Sequence, residues 1–246
     1  MEEEALEKYL KAGRVAAEVR EGVVEVVEPG ARLLDICEWV EDRIRKLGAQ
    51  PAFPCNVSVN HVAAHYTSPP GDESVVPEGS LVKVDIGAHV DGYIADTAIT
   101  LCFDPAKERL AKAAEEALMA ALRELRPGLG IARISSVIER TIRAHGCKPI
   151  SNLTGHNMAR YTVHAGISIP NVSTFSLKKL KPGVAYAIEP FTTEPWAAGV
   201  VVEAPQVTIF RLVRTSVKDK KGNRLLKVIY DSFRTLPFAE RWLWRL

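Results

Sequence analysis

Residues 29–51 and 127–149 carry the same punctuation in the same places, and this doubling limits the folds open to the chain. Pro29-Gly30 and Pro127-Gly128 each open a periodic apolar stretch that ends on a glycine 19 residues past the proline, Gly48 and Gly146. Pro51 and Pro149 follow three residues later. Between these marks Leu34, Ile36, Val40, Ile44 and Leu47 recur at the spacing of one helix face, as do Ile131, Ile134, Val137, Ile138 and Ile142 in the second copy. A glycine followed by a proline is the expected stop for each helix. Each copy is preceded by a further helical stretch, about 2–27 and 105–125, the second with Pro105 at its first helical position. Downstream, Asp85 and Glu189 each lie in an apolar strand six residues after a turn glycine, Gly79 and Gly183. His65 and His164 also fall at roughly matching places. Common turn signals recur by chance, but a match this extended predicts an α+β fold with pseudo-two-fold symmetry. Helices would lie outside a curved, mostly antiparallel sheet, with the acids meeting where the halves face one another.

Those acids stand where apolar strand is expected. Asp85 lies inside Leu81-Val82-Lys83-Val84-Asp85-Ile86-Gly87, Asp96 follows Tyr93-Ile94-Ala95, and Glu189 ends Val184-Ala185-Tyr186-Ala187-Ile188. A carboxylate that loses its hydration costs several kcal/mol (order of magnitude) unless something pairs with it. Converging acids cannot neutralise one another, so the pattern calls for cations, and metal ions are the first candidates. Asp85 and Asp96 are eleven residues apart with Asp91-Gly92, a hairpin signal, between them. A loop centred near Val90-Asp91 would oppose them directly, with Cβ atoms about 5 Å apart. That suits two divalent ions held about 3.5–4 Å apart by bridging carboxylates. The spacing alone is a weak signal, since acids beside surface turns are common; the apolar flanks favour metal.

His156, in Thr154-Gly155-His156-Asn157, would add an imidazole, a ligand suited to Mn, Fe, Co or Zn rather than Ca or Mg. Taken singly it also reads as a hydrogen-bonded loop histidine. His65 and His164 fall on apolar stretches and read either as core residues or as groups that bind substrate and an oxyanion. His61, His89 and His145 read as structural or surface residues.

The size, 246 residues, allows one large domain or two small ones, and a net charge of +2 argues neither for nor against nucleic acid. Cys37, Cys55, Cys102 and Cys147 form no CxxC pair, as in a cytosolic protein with reduced thiols. Met1-Glu2-Glu3-Glu4 is acidic with no apolar signal core, and no run nears the roughly 18 apolar residues of a membrane span. GxSxG, P-loop, GxGxxG and HExxH motifs are all missing. Cys55, in Phe53-Pro54-Cys55-Asn56, has no evident base beside it and reads as a packing residue. Residues 211–246 hold ten Lys or Arg against three Asp or Glu, so a basic subdomain is expected over 206–246, after a main domain over 1–205. Its ordinary meaning is a solvated surface; no RNA-binding motif supports sequence-specific nucleic-acid recognition.

In combination these residues resemble the methionine aminopeptidases, type 2, of the archaeal kind. The resemblance is carried by Asn60-His61-Val62-Ala63-Ala64-His65-Tyr66, by Val84-Asp85-Ile86-Gly87 and by Asp91-Gly92-Tyr93-Ile94-Ala95-Asp96-Thr97-Ala98. Gly155-His156, His164-Ala165-Gly166-Ile167-Ser168-Ile169-Pro170 and Ala187-Ile188-Glu189-Pro190-Phe191 extend it through the second half. It implies the pita-bread (creatinase/aminopeptidase) fold and removal of the initiator methionine from nascent proteins when the next residue is small. By position, the resemblance makes Asp85, Asp96, His156 and Glu189 ligands of two divalent ions (Co, Mn, Fe or Zn), with Asp96 bridging and Glu189 also a general base. It gives His65 and His164 contacts to substrate and tetrahedral intermediate, and places Phe53 and Val163 in the methionine pocket. The substrate's free amine on the second ion would restrict cleavage to the first residue. The partners implied are nascent chains and the ribosome, for a cytoplasmic monomer that binds no membrane.

The resemblance breaks in two places. A second bridging glutamate on a late strand has no counterpart here, because the chain stops at Leu236-Pro237-Phe238-Ala239-Glu240-Arg241-Trp242-Leu243-Trp244-Arg245-Leu246, which resembles the middle of the type 2 insertion. Read as C-terminally truncated, the chain is expected to lack its last sheet strands, hold one moderate and one weak metal site, and turn over below a complete enzyme. His61 stands where the family usually carries an acid. A non-catalytic protein- or RNA-binding member of the fold is the alternative, and an X-Pro or creatine-hydrolysing enzyme fits the surroundings of His65 and His164 less well.

Overall fold

The computed structural model describes residues 1–244; Arg245 and Leu246, the end of the stretch likened above to an insertion, lie outside the described residues. In chain order the elements are α1 (Glu3–Gly22), α2 (Leu33–Lys46), β1 (Gln50–Pro51), β2 (Asn56–Val59), β3 (Leu81–Val90) and β4 (Tyr93–Cys102). There follow α3 (Glu108–Glu124), α4 (Ile131–Ala144), β5 (Lys148–Pro149), β6 (Thr154–Met158), β7 (Ser168–Pro170), β8 (Ala185–Ala187) and β9 (Thr192–Thr193). The chain continues with β10 (Ile209–Phe210), α5 (Lys220–Phe233), β11 (Phe238–Ala239) and α6 (Glu240–Leu243). It divides into two compact units. An N-terminal unit comprises 2–101, 160–163 and 205–246; a central unit comprises Met1, 102–159 and 164–204.

In the N-terminal unit, β3 pairs antiparallel with β1 and β2 along one edge and with β4 along the other. Strand β3 resolves the oddity of Asp85. Val82, Val84, Ile86 and Ala88 are buried, while the alternate positions Leu81, Lys83 and Asp85 are only partly so. Helix α1 packs on this strand. A period of two thus puts the apolar set on one sheet face and the carboxylate on the other.

The central unit follows the same plan. Helices α3 and α4 pack together, and Ala113, Ala117 and Ala121 form a core with Ile131, Ile134, Ile138 and Ile142. Tyr186 and Ile188 of the β8 segment pack against that core, so Ala185, Ala187 and Glu189 take the alternate positions. Strand β6 pairs antiparallel with both β7 and β8.

The doubling read from the sequence reappears bond by bond. A shift of 98 residues upstream and 104 downstream turns the bond from Gly30 N–H to the Val76 carbonyl into that from Gly128 N–H to Leu180. The same shift turns Ala52 N–H to Gly87 into Ile150 N–H to Phe191. It also turns the bridge Arg32–Val75 into Gly130–Lys179, and the pair Gln50–His89 into Lys148–Thr193. Chance recurrence of turn residues does not reproduce hydrogen bonds in register.

Both predicted helix stops share one geometry. Gly48 (φ 78) and Gly146 (φ 67) are left-handed. In each copy the glycine N–H donates to the carbonyl three residues back, Arg45 or Arg143. The next N–H reaches back five, Ala49 to Ile44 and Cys147 to Ile142. This double bond pattern satisfies the orphan carbonyls of the last helical turn.

One expectation shifts. Strand β3 ends at Val90 and β4 begins at Tyr93, and Asp91 and Gly92 both have positive φ (51 and 83), so the two-residue turn is Asp91-Gly92 itself. In a regular ladder that turn makes Asp85 and Asp96 diagonal neighbours on one face rather than directly opposed, about 7–8 Å apart.

The basic segment begins where the N-terminal unit resumes at Pro205. It folds around Ile229, Phe238, Ala239 and Trp242, with Phe233 stacked on Phe238 at 5.0 Å. Among the described residues no helix is long and apolar enough to cross a membrane.

Candidate metal centre

In the N-terminal unit, the cross-strand partner of Asp85 is Asn56, whose amide nitrogen donates to the Asp85 carboxylate at 3.2 Å. Asp96 lies on β4, partly buried. Phe53 is 7% exposed and its ring lies flat on β3: a Cβ at Gly87 would meet the ring at 2.3 Å, so only glycine fits two residues past Asp85. Lys83 Nζ donates to the Ala63 carbonyl, tying strand β3 to the 60–66 loop. Within that loop Asn60 (φ 52) and His65 (φ 63) adopt left-handed backbone, which non-glycine residues take uncommonly. His65 is exposed and is not a core residue.

In the central unit, His156 on β6 is opposite Ala187 of β8, which puts its side chain on the same face as Glu189 two residues further on. His156 Nε2 stands 3.0 Å from Glu189 Oε1, and the histidine is 5% exposed. The pair is close without the alignment of a hydrogen bond, so Glu189 Oε1 is a buried carboxylate oxygen with no donor. A carboxylate with one buried, undonated oxygen beside an imidazole suits a divalent transition-metal ion, and these residues fit such an ion. The approach of β6 to β8 depends on Gly155, where a Cβ would meet the Ala187 carbonyl oxygen at 2.4 Å. His164 is exposed, so it too is not core; its ring packs edge-on against His156 at 4.2 Å. Val163, the residue before it, is buried.

Asn56 and Asn157 escaped the sequence reading. Asn157, buried beside His156, accepts the Ile167 N–H on its side chain at 2.7 Å and the Ala165 N–H on its carbonyl at 2.9 Å. It thereby holds the segment following His164. His61 is exposed, His89 Nδ1 accepts the Gly92 N–H at 3.0 Å, and His145 Nε2 lies 3.1 Å from Glu116. Cys55 is 1% exposed, and burial raises its thiol well above the usual pKa, the setting of a packing residue. All four cysteines are free.

A carboxylate–imidazole pair on a helix-flanked antiparallel sheet suits a metal-dependent enzyme, and comparison with known proteins establishes that class. The profile of metallopeptidase family M24 matches residues 7–211. The methionine aminopeptidase of Methanothermobacter thermautotrophicus is 47% identical over 97% of this chain and 80% of its own length. That of Thermococcus kodakarensis is 48% identical over 96% of this chain and 80% of its own. The crystal structure of methionine aminopeptidase from Thermotoga maritima superposes with a TM-score of 0.71 at 30% identity, covering 77% of this chain and 80% of that one. The chain belongs to metallopeptidase family M24, and within it to the methionine aminopeptidases, whose pita-bread fold it shares.

Proposed function

We propose that this protein removes the N-terminal methionine from nascent proteins whose second residue is small, with Asp85, Asp96, His156 and Glu189 as its metal ligands. The observation that carries the reading is the buried Glu189 oxygen beside His156 Nε2, 3.0 Å away, in a member of a metallopeptidase family. When bound, divalent ions supply Lewis acidity that polarises the scissile carbonyl and lowers the pKa of water. Co, Mn, Fe or Zn suits the mixed donor set. Two ions are proposed: His156 and Glu189 would hold one, Asp85 would hold the other, and Asp96 would be shared between them.

Glu189 takes a proton from the attacking water and returns it to the leaving amine. His65 and His164, exposed on their loops, donate to substrate and to the developing oxyanion. Phe53 and Val163, buried and apolar, receive the methionine side chain. Asn56 steers the Asp85 carboxylate, as outer partners of metal ligands do. We assign the enzyme to the type 2 group, working as a cytoplasmic monomer on chains leaving the ribosome, with residues 206–246 as a basic subdomain.

Titrating the purified chain with Mn²⁺ or Co²⁺ while following methionine release from Met-Ala-Ser tests this. His156→Ala should abolish both tight binding and turnover, and Asn56→Ala should weaken binding about 10–100-fold. Metal binding unchanged in His156→Ala, or turnover of Met-Leu-Ser as fast as that of Met-Ala-Ser, would sink the assignment.

A further inference from the structure

Residues 160–163 belong to the N-terminal unit, although the residues on both sides belong to the central one. They are held by the tip of the β3–β4 hairpin. Arg160 donates to the Asp91 carboxylate at 2.6 Å through one guanidinium nitrogen and to the Asp91 carbonyl at 2.9 Å through Nε. The Tyr161 hydroxyl donates to the same carboxylate at 3.2 Å, and Lys8 adds a third donor at 2.9 Å. These donors, Arg160 first and Lys8 next, hold the Asp91 carboxyl well below the usual range. Tyr161 N–H donates to the Gly92 carbonyl at 2.8 Å. Its ring lies so close that a Cβ at Gly92 would meet it at 2.4 Å. Tyr161 takes a left-handed backbone (φ 56), and its carbonyl accepts from Thr235.

The Arg160–Asp91 pair is 50% and 40% exposed, and pairs so exposed contribute little to stability. A turn this heavily tied, with Tyr161 held in a left-handed conformation, indicates positioning rather than packing. Past Thr162 come buried Val163 and then His164. Beyond them Ala165 and Ile167 are fastened to Asn157. His164 therefore stands between two anchors, Tyr161 before it and Asn157 after it.

We propose that Asp91, Arg160 and Tyr161 are positioning residues, a clamp that sets Val163 and His164 for substrate; the inference rests on the function proposed for that loop. The test variant is Asp91→Asn. Asn-Gly is the strongest pair for this turn, so the hairpin persists and only the charge of the clamp is lost. Amide hydrogen exchange at Tyr161 should accelerate while that of β6 stays unchanged. Misplacement of His164 should lower kcat about tenfold or more. KM should rise as well, because Val163 and His164 also bind the substrate. In a His164→Ala background the same substitution should change kcat no further, whereas a general loss of structure would add. Unchanged exchange at Tyr161 overturns the clamp whether or not the chain turns over substrate. Unchanged kcat, or full additivity with His164→Ala, overturns its role in positioning. An unvaried chain that releases no methionine with Mn²⁺ or Co²⁺ counts against the proposed function instead, and exchange still decides the clamp.

Discussion

Charged side chains in apolar strands were legible because a mismatch of charge and context is local. Asp85, Asp96 and Glu189 each stood out against their neighbours, and β3 shows that strand alternation turns Asp85 away from the buried apolar face. Partners such as Asn56 and Asn157 were not legible, because an asparagine gains its role from a group 29 residues away or from a loop folding back on it. Exposure of His65 and His164 was likewise undetermined by their apolar flanks. His89 carries a prediction of its own. Burial lowers its pKa from 6.5 to about 4. The unfolded chain therefore takes up a proton, as pH falls below 6.5, that the folded chain refuses, and stability is lost until about pH 4. Between pH 7 and 4.5 this group should cost about 2 kcal/mol in urea unfolding. His89→Gln should remove that part of the slope; an identical pH profile for the variant would contradict it.

Among the elements, helix stops were the most legible features. Gly48 and Gly146 were expected to end α2 and α4, and both close them with the same pair of reach-back bonds. The φ of 67 at Gly146 disfavours any residue with a Cβ. Space is not the obstacle, since a Cβ there would meet only the end of Arg109 at 3.7 Å. Gly146→Ala should then cost about 1 kcal/mol by strain alone, seen as a lower urea midpoint with unchanged slope. A neutral result would mean that the backbone relaxes out of this conformation. The hairpin was less legible. Asp91-Gly92 announced a turn, but its centre fell one residue later than expected, and a one-residue change in register alters which side chains meet. Short strands such as β5 and β9 exist through pairing between distant segments, which periodicity does not report.

At the scale of the molecule, a buried ion pair ties residue 241 to residue 41. Arg241 and Glu41, with side chains 4% and 1% exposed, bond to each other. Trp242 Nε1 donates to Glu41 at 2.7 Å, and Arg241 donates to Thr67 at 2.7 Å and to the Ser68 carbonyl at 2.9 Å. Burial raises the Glu41 pKa against the pull of Arg241, so the carboxylate depends on its partner. Arg241→Met should destabilise the fold by about 3–5 kcal/mol in urea, by stranding Glu41, and adding Glu41→Gln should recover much of it. A small loss in the single variant would show that water reaches the pair. Nothing near Glu41 in sequence announces this partner, 200 residues distant. By itself the sequence determined the internal repeat, the helices with their stops, and the residue types of the proposed site, because periodicity, turn chemistry and misplaced charge are properties of neighbours along the chain. Only the tertiary structure decided the turn register, the exposure of the histidines, the asparagine supports and the burial of Glu41 with Arg241, because each depends on which distant segments exclude water together.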